Sequence, residues 1–139
     1  PIILGTGGHI VTIDSYAKLF AVWYSDVNFE TTIIGKKQVK RSPVEKARIL
    51  LAHQLVTAKL NCAAFGGCSV SVANMITSAD AAYASGVIAN MNYWMGQLDL
   101  FNNSGDTIII SPPLPWQGKA TPKLSQSTAQ SGLVFWDNP

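Results

Sequence analysis

The chain has 139 residues, with 10 Lys and Arg against 8 Asp and Glu, 13% charged and 47% apolar residues, and a mean hydropathy of +0.18. That length supports one domain with a real core rather than two independent ones. A net charge of only +2 excludes a protein held to nucleic acid by bulk positive charge, and the lack of any run of about eighteen apolar residues excludes a transmembrane helix.

The charged share is about half the roughly 25% of an average domain. Solubility therefore rests on 35 Ser, Thr, Asn and Gln side chains. Few like charges hold copies apart, a composition that suits dense packing between subunits.

Residues 1 to 13 alternate β-branched residues with glycine, and IIL and HIVTI around GTGG predict a small hairpin. The chain opens at Pro1 with neither methionine nor a charged n-region, as expected of a processed mature product. Its early glycines set it apart from a type IV pilin, which opens with a long apolar helix. The GTGG before His9 completes neither GxGxxG nor GxxxxGK, so no phosphate loop is expected.

From Asp14 to Val27, Tyr16, Leu19, Phe20, Trp23 and Val27 recur at helical spacing, with Thr12 or Asp14 available as a cap. Residues 28 to 41 read as a short strand around TTIIG and then a solvated turn, KKQVKR. Six of the ten Lys and Arg lie between Lys36 and Arg48, a local basic patch. Trp23, Tyr24 or Phe29 beside it could stack on bases while the lysines grip phosphates. A cluster of this size reads as a solvated loop, and no nucleic-acid partner is expected.

Ser42 to Glu45 is a capping box, with Pro43 at the first helical position where its missing N–H costs nothing. Val44, Ala47, Leu51, Leu55, Ala58 and Cys62 then form one apolar stripe, and Ile49, Ala52, Val56 and Leu60 a second. A helix apolar over more than half its circumference belongs at the centre of a helical body. Gly66 and Gly67 supply its stop.

Cys62 and Cys68 enclose AAFGG, a flexible loop that can bring their Cα atoms within bridging distance. A disulfide is the natural reading, contributing about 2.4 kcal/mol by loop closure. Free thiols on a cytosolic helix end are the alternative. Structural zinc needs four ligands, and His9 and His53 show no ligand spacing with these thiols, so neither metal nor cofactor is expected. His53 could act as a base, yet no nucleophile or orienting carboxylate sits at a matching helical offset, and Arg48 disfavours its protonation. A structural role is expected.

Residues 69 to 105 read as two helices, or one broken near Ser85 and Gly86. Val72, Met75, Ile76, Ala79, Ala82 and Tyr83 share a face in the first part, and Ile88, Met91, Trp94, Met95, Leu98 and Phe101 in the second. Asn102 to Gly105 end the run. Asp80 and Asp99 could be paired carboxylates on neighbouring helices, but a polar-face residue and a helix-end partner are the expected roles. Asn102, Asn103 and Ser104 form a glycosylation sequon in what reads as an exposed turn, making Asn102 a candidate glycan site. DTIIIS follows as a short strand. Residues 112 to 139 carry five of the seven prolines, three charged residues and a closing GLVFW run, a tail that cannot build a core by itself.

LAHQLVTAKLN at residues 51 to 61, LDLFNN at 98 to 103 and SADAAY between them resemble a group of secreted or surface bacterial proteins of largely uncharacterised function. The resemblance covers about residues 42 to 105. The Gly-Tyr-Trp-Lys-Asn-His opening frequent in that group is missing, so no role tied to it transfers. The resemblance implies export to the cell surface or medium, with no activity attached.

The expected fold is mainly α with small β elements: a compact bundle of three or four helices with a short N-terminal hairpin over residues 1 to 111, and an extended Pro- and Ser-rich tail over 112 to 139. The tail either lies across its own domain or docks Trp116 and the GLVFW run on a neighbouring copy by strand addition. The expected function is a secreted structural subunit that assembles with copies of itself into a filament or surface layer. Its expected interface comprises Ile2, Ile3, Leu4, Trp116, Leu133, Val134, Phe135 and Trp136. The alternative is a monomeric extracellular module for a glycan or small ligand, with Trp94 or Trp116 as a sugar platform. No catalytic residues are expected, because acid and base groups do not assemble. A viral coat, which also assembles through ordered tails, fits less well with the cysteine pair.

Overall fold

A computed structural model describes residues 1–105 and 121–139. It is mainly α with small β elements, as the sequence predicts. Trp116, the strand expected over 106 to 111 and the boundary at 111 lie outside the described residues.

Strands β1 (Ile2–Thr6) and β2 (His9–Ile13) form an antiparallel hairpin that sets Leu4 opposite Val11 and Ile2 opposite Ile13. The period of two turns Leu4, Val11 and Ile13 into the core and Ile3 and Ile10 outward. Helix α1 (Tyr16–Tyr24) follows. Its cap is neither Thr12 nor Asp14 but Ser15, whose hydroxyl accepts from the Lys18 N–H at the third helical position. Asp14 pairs instead with the Lys18 ammonium at 2.8 Å.

Strands β3 (Phe29–Ile34) and β4 (Lys37–Lys40) form a second hairpin, so of the lysine-rich run only Lys36 lies in a turn and residues 37 to 40 form a strand. Ile34 pairs with Lys37, which leaves Gly35 and Lys36 as a two-residue turn. Gly35 has φ +65° while Lys36 does not enter the positive region. That Gly-first pattern matches strand twist and lets the chain reverse before Lys37 and Lys40, placing these two in the ladder.

Helix α2 (Pro43–Ala64) begins at the capping box: the Ser42 N–H donates to Glu45 Oε2 at 2.6 Å, and the Glu45 N–H to Ser42 Oγ at 3.3 Å. Both predicted stripes are buried, through Ala47, Leu51, Leu55 and Ala58 on one and Ile49, Ala52 and Val56 on the other. The helix packs against α1, β1, α3 (Val70–Ser85) and α4 (Ile88–Asn103), so it is the central element. Gly86, left-handed, separates α3 from α4 where the sequence places the break. Cys62 and Cys68 form a disulfide-compatible pair with Cα atoms 5.0 Å apart, tying the end of α2 to the start of α3.

The tail departs from expectation. Residues 122 to 130 form helix α5 (Pro122–Gln130), and Leu133–Asp137 form a 3-10 turn, so the described tail is helical rather than extended. Both pack on α1, and the 3-10 turn also packs on β3. Trp136 is completely buried, and its indole N–H donates to the Lys18 carbonyl at 2.8 Å. Gly132 lies so close to α1 that a Cβ there would collide with the Ala17 carbonyl. The tail thus completes the core, and burial of a tryptophan drives an order that its local composition does not.

Candidate functional site

Lys59, Asp80 and Asp99 are engaged within the fold. The Lys59 ammonium lies 2.9 and 2.7 Å from the two carboxylate oxygens of Asp80 and also donates to the Ile3 carbonyl. Asp80 Oδ1 accepts from the Gly5 N–H at 2.9 Å. This ion pair therefore joins α2, α3 and β1. Asp99 accepts from Gln54 Nε2 at 3.0 Å and from Asn103 Nδ2 at 3.2 Å, so it has a partner set separate from that of Asp80. The two carboxylates do not form a dyad.

Burial lowers the His53 pKa, with a hydrogen bond to the Val22 backbone acting the other way, and His53 Nε2 is buried without a partner among the described residues. Burial likewise pushes the Tyr83 phenol far up, opposed by the charge of Arg48. His9 Nε2 is 3.0 Å from the Pro139 carbonyl oxygen, and Arg48 donates to the carbonyls of Tyr83 and Pro139 at 3.0 and 3.4 Å. Among the described residues neither histidine has a carboxylate to orient it. Among the described residues, no three His, Cys, Asp or Glu side chains gather to hold a metal ion.

Asn102 sits in the last turn of α4, not in an exposed loop. Its Nδ2 donates to the Gln54 carbonyl at 2.9 Å and to Gln54 Oε1 at 2.8 Å, while its Oδ1 accepts from Asn61 Nδ2 at 3.2 Å. The nitrogen that a glycan would occupy is committed to α2. The triplet alone carries no sign of this, because both partners lie more than forty residues away in sequence.

Two open grooves stand out among the described residues. One, of about 480 Å³, lies beside the cysteine pair and is lined by Asn61, Phe65, Val72, Phe101 and Ser104 among others. The second, of about 310 Å³, runs between the first hairpin and α1 along Pro1, Ile2, Ile13, Tyr16 and Leu19. Trp94 is half-buried against the core, with the Tyr93 ring edge-on at 4.9 Å, which compromises it as a sugar platform.

The expected assembly residues are sorted by the same packing. Leu4 and Trp136 are completely buried in their own core, so they cannot also face a neighbour. Alternation along β1 and the tight 3-10 turn aim them inward. Ile2, Leu133 and Phe135 are half-buried against that core, whereas Ile3 is 49% and Val134 63% exposed. Sequence reasoning missed Ile10, 54% exposed on the same outer face as Ile3, although the strand alternation that buries Val11 signals it.

The edges of the first hairpin are unequal. Lys59 and Asp80 bond the outward Ile3 carbonyl and Gly5 N–H, and so cap the outer edge of β1. Ile3 and Gly5 oppose Thr12 and Ile10, whose backbone groups must then also point outward on β2. Among the described residues nothing bonds that edge. Among the described residues β2 is thus the strand with an open edge, and Ile10 lies on it.

The basic patch is dispersed. Arg41 is buried, donating to the Asp26 carbonyl at 2.9 Å and the Trp136 carbonyl at 2.6 Å, with Asp137 3.9 Å from its guanidinium. Arg48 is drawn to Tyr83 and Pro139, as above. Lys36, Lys37 and Lys40 remain exposed on the second hairpin. Comparison with protein-family models, curated proteins and solved structures finds no match for the chain.

Proposed function

We propose that the protein is an extracellular structural subunit that assembles with copies of itself into a filament or surface layer. The observation that carries this reading is the β2 edge, unpaired among the described residues and flanked by Ile3 and Ile10, apolar residues on the outer face of a hairpin whose inner face is already packed. A one-sided antiparallel sheet ordinarily shows polar residues to water, and an exposed edge with apolar neighbours is a template for strand addition. The low charge of the chain supports the same reading, and Val134 offers a second exposed apolar contact. The extracellular setting draws on the disulfide-compatible cysteines and on the resemblance of residues 42 to 105 to exported proteins. Electron microscopy of the purified protein tests the proposal: filaments or sheets support it, and isolated particles contradict it.

A second reading, a monomeric glycan-binding module, is favoured by the groove beside Cys68, where Phe65 and Phe101 offer aromatic surface next to the Asn61 amide and the Ser104 hydroxyl.

A further inference from the structure

The second hairpin is apolar at its tip on both faces. Ile34 pairs with Lys37 and Ile33 with Gln38, so the two isoleucines point to opposite sides of the ladder. Ile33 is 63% and Ile34 71% exposed. A hairpin lying on the body would bury one of them. Residues 31 to 38 are exposed throughout, so the hairpin projects as an arm.

Its base is fixed. Asp137, buried, accepts from the Thr31 N–H at 2.6 Å, the Thr32 N–H at 3.1 Å and the Thr32 hydroxyl at 2.8 Å. The Arg41 N–H donates to the Asn28 carbonyl at 2.9 Å, and Asp26 Oδ1 accepts from the Asn28 and Phe29 N–H groups at 2.6 and 2.9 Å. Both strands are thereby held where they leave the body, and the arm is presented in one orientation.

Its charge is one-sided. Lys36, Lys37 and Lys40 are exposed along the arm, against a single acidic residue, the half-buried Glu30. We infer that the arm docks the protein on an anionic lipid bilayer, with Ile33 and Ile34 entering the interfacial apolar layer and the three lysines meeting headgroup phosphates. A protein groove would cover one face of the tip, whereas a bilayer surrounds it on all sides, which suits isoleucines that point in opposite directions. A second copy of this chain, itself of net charge +2, offers the lysines no excess of negative charge. Nucleic acid would satisfy the lysines but leave two aliphatic side chains without bases to stack on. Each lysine near an anionic surface strengthens partitioning by about five-fold, and the attraction is screened by salt. The inference is independent of self-assembly.

Flotation of the full chain with vesicles of phosphatidylcholine alone, or of phosphatidylcholine with phosphatidylglycerol, tests it. Binding to the anionic vesicles, weakened by salt and reduced at least about tenfold by K36E/K37E, is expected. I33S/I34S should abolish it, and in I34W the indole emission should shift to the blue on those vesicles only. All three variants alter exposed positions, and an unchanged circular dichroism spectrum and Tm would show that the fold is intact. The inference is overturned if the native protein stays unbound, if folded I33S/I34S binds like the native chain, or if duplex or single-stranded DNA is bound while vesicles are not.

Discussion

Asp137 and Thr32 meet twice on one carboxylate oxygen: Oδ2 accepts from the Thr32 N–H at 3.1 Å and from its hydroxyl at 2.8 Å. With the Thr31 N–H on Oδ1, two successive backbone donors of β3 turn away from β4. This accounts for the irregular register of the β3–β4 ladder between Phe29 and Ile33.

Replacing Asp137 with alanine leaves Arg41 buried beside unpaired backbone donors. D137A should lose about 3 kcal/mol in urea unfolding. Amide exchange at Thr31 and Thr32 should rise with it. Native-like protection at those amides would show that the carboxylate does not hold the arm.

Asn102 should carry no glycan when the protein is secreted from a glycosylating host, because its Nδ2 is bonded to Gln54 at two points. Intact-mass measurement at the unmodified value is expected, and a hexosamine-containing adduct would contradict it. N102A should cost about 1–3 kcal/mol by stranding the acceptors on α2.

His53 makes stability depend on pH. Above about 6.5, the ordinary histidine value, it is neutral in both folded and unfolded chains and has no effect. As pH falls below that value the unfolded chain takes up a proton that the buried imidazole resists, so stability is lost until the folded pKa is passed. The drop in unfolding free energy between pH 7 and pH 5 should therefore be smaller in H53Q than in the native protein. An equal drop would refute the assignment.

Reducing the cysteine pair should lower stability by about 2 kcal/mol, the loop-closure contribution of so short a ring. Before reduction, thiol titration should find no free thiol in the denatured chain. Two reactive thiols would restore the cytosolic reading.

What the sequence made legible was local. The α2 cap depends on Ser42 and Glu45 three residues apart, its burial on a repeat of apolar residues, and the α3–α4 break on Gly86. The tail does lie across its own domain, one of the two readings the sequence allows, but its helical form was hidden because α5 is polar and its order comes from Trp136 and Gly132 meeting α1, contacts more than a hundred residues distant in sequence. The same distance hid the Asp137 anchor, and with it the division of the basic patch into a buried Arg41 and an exposed lysine arm. In the first hairpin, strand period marks Ile3 as outward and Leu4 as inward. The choice of β2 as the free edge depends on Lys59 and Asp80, which reach β1 from two helices.

That choice also decides how self-assembly is best tested. Deleting everything after residue 111 would remove the buried Trp136 and unfold the body, so a substitution on the β2 edge is the cleaner probe. Sedimentation velocity of the native chain, I10K and T12P is the most direct measurement. The lysine places a charge on the free edge, and the proline removes an outward N–H that β1 does not use. The native protein should sediment as oligomers that grow with concentration, and both variants as monomers with an unchanged Tm. A native protein that remains monomeric at every concentration, or variants that assemble as it does, would contradict the account.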